Sequence, residues 1–143
     1  MERKDFLLLV VNAADGKPLS PVQLQKSLFL IYKAHLPELP ETFYDFEPYH
    51  YGPFDIEVYH DADRLQQDDL VLRIPSERGD WVDTVITPEG RRVADELGRE
   101  LSNESREFIH KIVHWVMTQS FSSLIRYIYE HYPEFREKSV FAG

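Results

Sequence analysis

Ala62-Asp63-Arg64-Leu65-Gln66-Gln67, then Leu70-Val71-Leu72-Arg73-Ile74, then Trp81-Val82-Asp83-Thr84-Val85-Ile86-Thr87-Pro88-Glu89-Gly90 form a nearly continuous run that decides the fold. The first segment closes a helix. The next two are rich in β-branched and apolar residues and read as paired strands, Leu70–Ile74 and Trp81–Thr87. Pro75–Asp80 joins them, with Arg78-Gly79-Asp80 at the hairpin tip. Thr87 is a good N-cap and Pro88 suits the first helical turn. Glu89 puts a negative charge at the positive end of the helix that follows. That helix, Glu89–Arg99, carries Val93, Ala94 and Leu97 inward.

Upstream, Phe54, Val58, Ala62 and Leu65 share one face of a third helix over Phe54–Gln67. Asp5–Ala14 reads as the first helix, ended by Asp15-Gly16. Ser20 and Pro21 open the second helix, Pro21–His35, which is apolar around most of its circumference and so central to the core. Lys26 and Lys33, seven apart, are expected on its wet side. Thr42–Tyr49 is expected as a short strand, followed by a turn at Tyr51-Gly52-Pro53.

Downstream, two helices follow. One is capped by Ser102 or Asn103 and carries Phe108, Ile109, Ile112, Val113, Val116 and Met117. The other begins near Ser120 or Ser122, carries Leu124, Ile125, Ile128 and Tyr129, and ends at Pro133. Helix, helix, strand, helix and a two-stranded hairpin is the order of a winged helix. The closing run Val85–Gly90 also resembles the segment common at the end of wings in transcriptional regulators. The expected fold is α+β and mainly helical. A winged helix-turn-helix domain covers residues 1–100, and a C-terminal helical extension over 101–143 packs on it as one structural unit.

Hydrophobic residues at 43% and charged residues at 29% fit a globular chain with a core. No apolar run reaches the ~18 residues of a membrane span. With no cysteine there are no disulfides, thiolate metal sites or Cys nucleophiles. A cytoplasmic protein is expected. The net charge of −9 is concentrated: Glu38–Asp69 holds ten acidic residues and one basic residue, Arg64, while the remainder holds fifteen of each sign. A nucleic-acid binder shows the opposite, a basic face.

Three segments carry a narrower resemblance. They are Leu24-Gln25-Lys26-Ser27-Leu28-Phe29-Leu30, Phe46-Glu47-Pro48-Tyr49-His50-Tyr51-Gly52-Pro53-Phe54, and Tyr127-Ile128-Tyr129-Glu130-His131-Tyr132-Pro133-Glu134 with Ser139. Together they resemble the YwgA-like family of bacterial winged-helix proteins, across nearly the whole chain. The Leu-Gln-Lys helix and the Tyr-Gly-Pro turn, followed by Val58-Tyr59, are more loosely similar to the SocA-like or Panacea antitoxins. That likeness implies binding to a toxin protein. The tryptophan usual in that group ahead of the Tyr-Gly-Pro turn is absent here.

The third helix of a winged helix usually enters the major groove, where phosphates favour Lys and Arg. Here it carries Asp55, Glu57, Asp61 and Asp63 against Arg64. Protein–protein contact is therefore the favoured expectation, through Tyr44, Tyr49, Tyr51, Asp55, Tyr59 and Asp63. The aromatic run Phe43–Tyr51 has two readings, a strand packed on the first two helices or a binding surface built on tyrosine. The alternative function is a DNA-binding transcriptional regulator using Arg64, Arg73, Arg78, Arg91 and Arg92, mainly through the wing. Trp115, Tyr127, Tyr129 and Tyr132 offer either core or a homodimer interface.

Chemistry has little support. Asp61 and Asp63 point different ways on a helix, and there is no nucleophile elbow or phosphate loop. His110 and His114 have the i, i+4 spacing that can chelate zinc, but no glutamate of a zinc-protease motif lies between them. Nothing in the sequence fixes His50 or His60 nearby. The expectation is a non-enzymatic protein with no metal and no cofactor.

Overall fold

Capping chemistry sets where most helices begin. In the computed structural model, which describes residues 1–142, Ser20 Oγ accepts from the Gln23 amide at 3.2 Å, and Gln23 returns an acceptor to the Ser20 amide at 2.9 Å. This capping box opens the second helix. Thr87, Ser102 and Ser120 likewise accept from the amides of Gly90, Ser105 and Ser123. Each such cap stabilises its helix by about 1 kcal/mol. The resulting helices are α1 (Arg3–Ala13), α2 (Pro21–Lys33), α3 (Glu57–Gln67), α4 (Pro88–Gly98), α5 (Asn103–Thr118) and α6 (Phe121–His131). A 3-10 turn follows at Pro133–Arg136. The described residues thus form an α+β structure of six α-helices and two small antiparallel sheets.

The central helix is α1. Phe6, Leu7, Leu8, Val10 and Val11 are fully buried around its whole circumference, against α2, α3, α4, α5 and the strand Val82–Ile86. The second helix, α2, is central too, as expected: it is buried over eight successive residues, Leu24–Ile31, and forms a shared wall between two apolar clusters. On one side Leu24, Leu28 and Ile31 join α1. On the other, Phe29 and Leu30 meet Val116, Leu124, Ile125, Ile128 and Phe135 of the C-terminal helices. Phe29 contacts Tyr132 and Phe135 edge-on at 5.0 and 4.9 Å between ring centroids. Tyr129 is buried in this cluster, with Trp115, Tyr127 and Tyr132 packed at its margin.

Strands β3 (Val71–Pro75) and β4 (Val82–Ile86) pair in antiparallel register from Val71↔Ile86 to Pro75↔Val82. A third, single-residue edge is added by Leu19, between α1 and α2. Its amide and carbonyl both bond Thr84, at 2.9 Å each.

The region between α2 and α3 departs from expectation. Thr42–Tyr49 does not form one strand. Phe43 and Tyr44 are buried in succession and neither pairs in a sheet. Only β1 (Glu47–Tyr49) is extended, and it pairs with β2 (Gly52–Phe54) as a hairpin turning at His50-Tyr51. Gly52 has φ +95°, a conformation that needs glycine. The third helix starts at Glu57 rather than Phe54 because the Asp55 carboxylate accepts from the Glu57 amide at 2.9 Å and ends the extended chain there.

Candidate functional site

Two buried polar residues of α2 hold the β1–β2 hairpin. Gln25 pairs with the backbone of Asp55 in both directions, donating to its carbonyl at 2.9 Å and accepting from its amide at 3.1 Å. Lys26 donates to the Pro53 carbonyl oxygen at 3.0 Å. Lys26 is only 3% exposed, so its expected place on the wet side of the helix is overturned. The hairpin and α6 cover that side of α2, a packing that helical periodicity does not reveal. A Cβ added at Gly52 would stand 3.7 Å from Lys26 Cε and from the Tyr129 ring, so the strand lies directly on the lysine stem. Among the described residues Lys26 has no carboxylate partner, and burial pulls its pKa down to about 7. The Leu24-Gln25-Lys26 and Tyr51-Gly52-Pro53 motifs are therefore two halves of one joint.

A second support lies beneath α3. Asp61, 3% exposed, accepts from Arg3 Nε at 2.9 Å, from the Tyr44 hydroxyl at 2.7 Å and from Arg64. Arg3 also reaches Glu57 at 3.3 Å. Burial and then the Asp61 carboxylate raise the Tyr44 pKa far out of the physiological range. Burial lowers the Arg3 pKa, but the charge and hydrogen bond of Asp61 outweigh it, and the net shift is upward. Asp63, as expected, points elsewhere and pairs with Arg73 at 2.7 Å.

These supports sort the six residues expected to contact a protein. Tyr44, 2% exposed and bonded to Asp61, cannot reach a partner. Asp55 spends its carboxylate on the amides of Asp45 and Glu57. Tyr59 is half-buried against Phe54, at 5.6 Å between ring centroids, and under the Arg73 guanidinium. Asp63 is exposed but ion-paired. Tyr49 and Tyr51 remain open, at 46% and 42% exposure. Tyr49 stacks on His50 and Phe54 at 4.3 and 4.8 Å. Tyr51 meets Phe121 of α6 edge-on at 5.1 Å, and Phe121 is itself 44% exposed. Sequence gives no sign of Phe121 as a surface residue, because it stands three and four residues before Leu124 and Ile125 and so shares the apolar repeat of the buried face of α6. Ile56 adds a further exposed apolar side chain beside Tyr49. The hairpin thus presents exposed aromatic side chains on a fixed support, with Glu47 and Glu57 lining the cleft beside Tyr49.

The five arginines of the DNA alternative are not brought together. Arg64 is bound to Asp61, and Arg92 clamps Glu89 and Glu96. Arg73 faces inward from β3, pairs with Asp63 and has a buried Nε without a partner. It is not presented on the outer face of the β3–β4 hairpin. Among the described residues Arg78 and Arg91 form no ion pair, but they line different clefts. Arg78 borders a groove with Trp81 and Phe121, while Arg91 borders one with Asn12 and His110.

One group among the described residues can hold a metal ion: Asp15, His110 and His114. No helix among the described residues is long and apolar enough to cross a membrane. Comparison with known protein families and with curated proteins finds no match to this chain.

Proposed function

We propose that this chain is a winged-helix protein that acts by binding another protein through the β1–β2 hairpin, in an antitoxin-like or regulatory role without catalysis. The observation that carries this reading is the contrast at the hairpin. Gln25 and Lys26 fix it from inside, while Tyr49 and Tyr51 stay exposed on it and Phe121 of α6 stays exposed beside Tyr51. Exposed aromatics on a rigid support lose little entropy on binding, and tyrosine is enriched among binding hot spots. Acidic residues around them favour a partner with a basic rim. The winged-helix assignment is supported by the order α1, Leu19, α2, α3, β3, β4, with Leu19 as the short edge on Thr84. The resemblance to the YwgA-like family, and the looser one to the SocA-like antitoxins, agree with it.

The test is co-purification from the native host, with and without nuclease. A protein partner should survive nuclease with the native chain. It should be lost when Tyr49, Tyr51 and Phe121 are changed together to alanine. The second reading, a transcriptional regulator, is favoured by the uncommitted Arg78 and Arg91. Sub-micromolar, salt-dependent binding to duplex DNA that Arg78→Glu weakens would replace the first reading with it.

A further inference from the structure

We infer that Asp15, His110 and His114 form a binding site for a divalent transition-metal ion, which would pin the α1–α2 turn to α5. His110 and His114 lie one turn apart on α5, with their rings stacked at 4.1 Å. The third donor comes from the far side of the sequence. Asp15 ends α1 with φ +55°, next to Gly16 at +84°, and this left-handed turn brings its carboxylate to the histidines. Asp15 Oδ2 stands 3.0 Å from His114 Nε2 and 3.8 Å from His110 Nε2. Donor atoms on a tetrahedral ion with bonds of about 2.0–2.1 Å lie roughly 3.3 Å apart, so the two distances bracket the required spacing. The Ala13 carbonyl oxygen, 2.9 Å from His114 Nε2, is a fourth donor within reach.

The donor set selects the metal class. Two imidazoles with one carboxylate suit zinc, cobalt, nickel or copper. Calcium requires about six to eight oxygen ligands, and magnesium a near-octahedral oxygen set. Arg91 and Arg106 line the adjoining cleft and oppose a hard cation held by charge alone. Asn12 lines the same cleft, and its Oδ1 is buried without a hydrogen-bond partner, an acceptor that a bound ion's water would satisfy. Each imidazole must present a bare Nε2 to the ion. Loading therefore breaks the present His114 contact with the Ala13 carbonyl, the Nε2 proton moving to Nδ1 or to solvent.

Untagged protein titrated calorimetrically with zinc chloride should bind one ion per chain. Cobalt should give the visible absorption of a four- or five-coordinate ion, and calcium and magnesium should give no binding. His110→Ala, His114→Ala and Asp15→Ala should each weaken zinc at least tenfold. Circular dichroism of each variant controls for folding, and the exposed His110 is the change that leaves the core untouched. Zinc should also raise the melting temperature of the native chain but not of His110→Ala/His114→Ala. Equal zinc affinity in that double variant, or binding below one ion per chain at saturating metal, would overturn the site. Neither result bears on the hairpin's role.

Discussion

The Lys26 ammonium donates to the Pro53 carbonyl oxygen at 3.0 Å inside the protein, with no carboxylate partner. The unfolded chain holds this proton up to about its ordinary pKa of 10.5, whereas burial brings the folded value to about 7. Below pH 7 both states are protonated, and the folded state bears the full cost of a buried charge. Between about 7 and 10.5 the unfolded state binds more protons, so stability rises with pH, by roughly 5 kcal/mol at most. Lys26→Met should abolish that rise. At pH 6 it should also exceed the native chain in stability, although losing the donor to Pro53 costs about 1–3 kcal/mol. Urea unfolding of both proteins at pH 6 and 9 checks this. A stability difference that does not change with pH would refute it.

Asp61 gathers Arg3, Tyr44 and Arg64 at a buried point. Asp61→Ala strands the Tyr44 hydroxyl and leaves Arg3 with only Glu57, so a loss of about 3–5 kcal/mol is expected. Tyr44→Phe removes one donor and leaves the ion pairs, for about 1–2 kcal/mol. Guanidinium melts of the single and double variants should give non-additive losses, since both changes remove the same contact. Full additivity would mean that the Tyr44–Asp61 bond contributes nothing.

Glu38, before the hairpin segment, accepts from the Ser102 amide at 2.8 Å and the Ser105 hydroxyl at 2.7 Å. It thereby ties the α2–β1 connection to the start of α5. Burial raises its pKa, but the bonds to Ser102 and Ser105 outweigh this and hold it below the ordinary 4.5. A depressed carboxyl pKa contributes stability above the unfolded value, lost as pH falls through the folded one. Glu38→Gln should cost about 1 kcal/mol at pH 7. Its denaturation midpoint should converge with that of the native chain in strong acid.

What the sequence revealed was local, and what it concealed was contact between distant segments. Ser20-Pro21 and Thr87-Pro88 could be read as helix starts because a cap is decided within four residues. Strands β3 and β4 were legible because their apolar runs flank a short turn. Lys26 and Tyr44 were misplaced because what buries them, the β1–β2 hairpin and α3, lies elsewhere in the chain. Helix and strand periods carry no information about such neighbours. Asp15 was read only as a helix stop, although its carboxylate meets two histidines almost a hundred residues away. Tyr49 and Tyr51 stood out by composition, yet only the hairpin explains why they remain exposed while Phe43 and Tyr44 do not.

Gly90 closes the Thr87-Pro88-Glu89-Gly90 run for a reason that capping does not supply. A Cβ there would stand 1.9 Å from the Leu70 carbonyl oxygen, which is backbone and cannot turn aside. The same carbonyl accepts from the Thr87 amide at 3.2 Å and from its hydroxyl at 2.9 Å. The first turn of α4 is thus seated on the chain entering β3, and α4 in turn packs on α1. Gly90→Ala must push the helix off this seat, breaking the Thr87 bonds as well as shifting buried Ala94. An overpacking cost of about 1–3 kcal/mol, plus the lost cap of about 1 kcal/mol, is expected. Gly98→Ala, whose Cβ would meet only Arg106 Cδ at 3.7 Å, is the matched control in the same helix and should be neutral or stabilising. Thermal melts in which the two variants behaved alike would show that the contact with Leu70 is not what requires glycine at position 90.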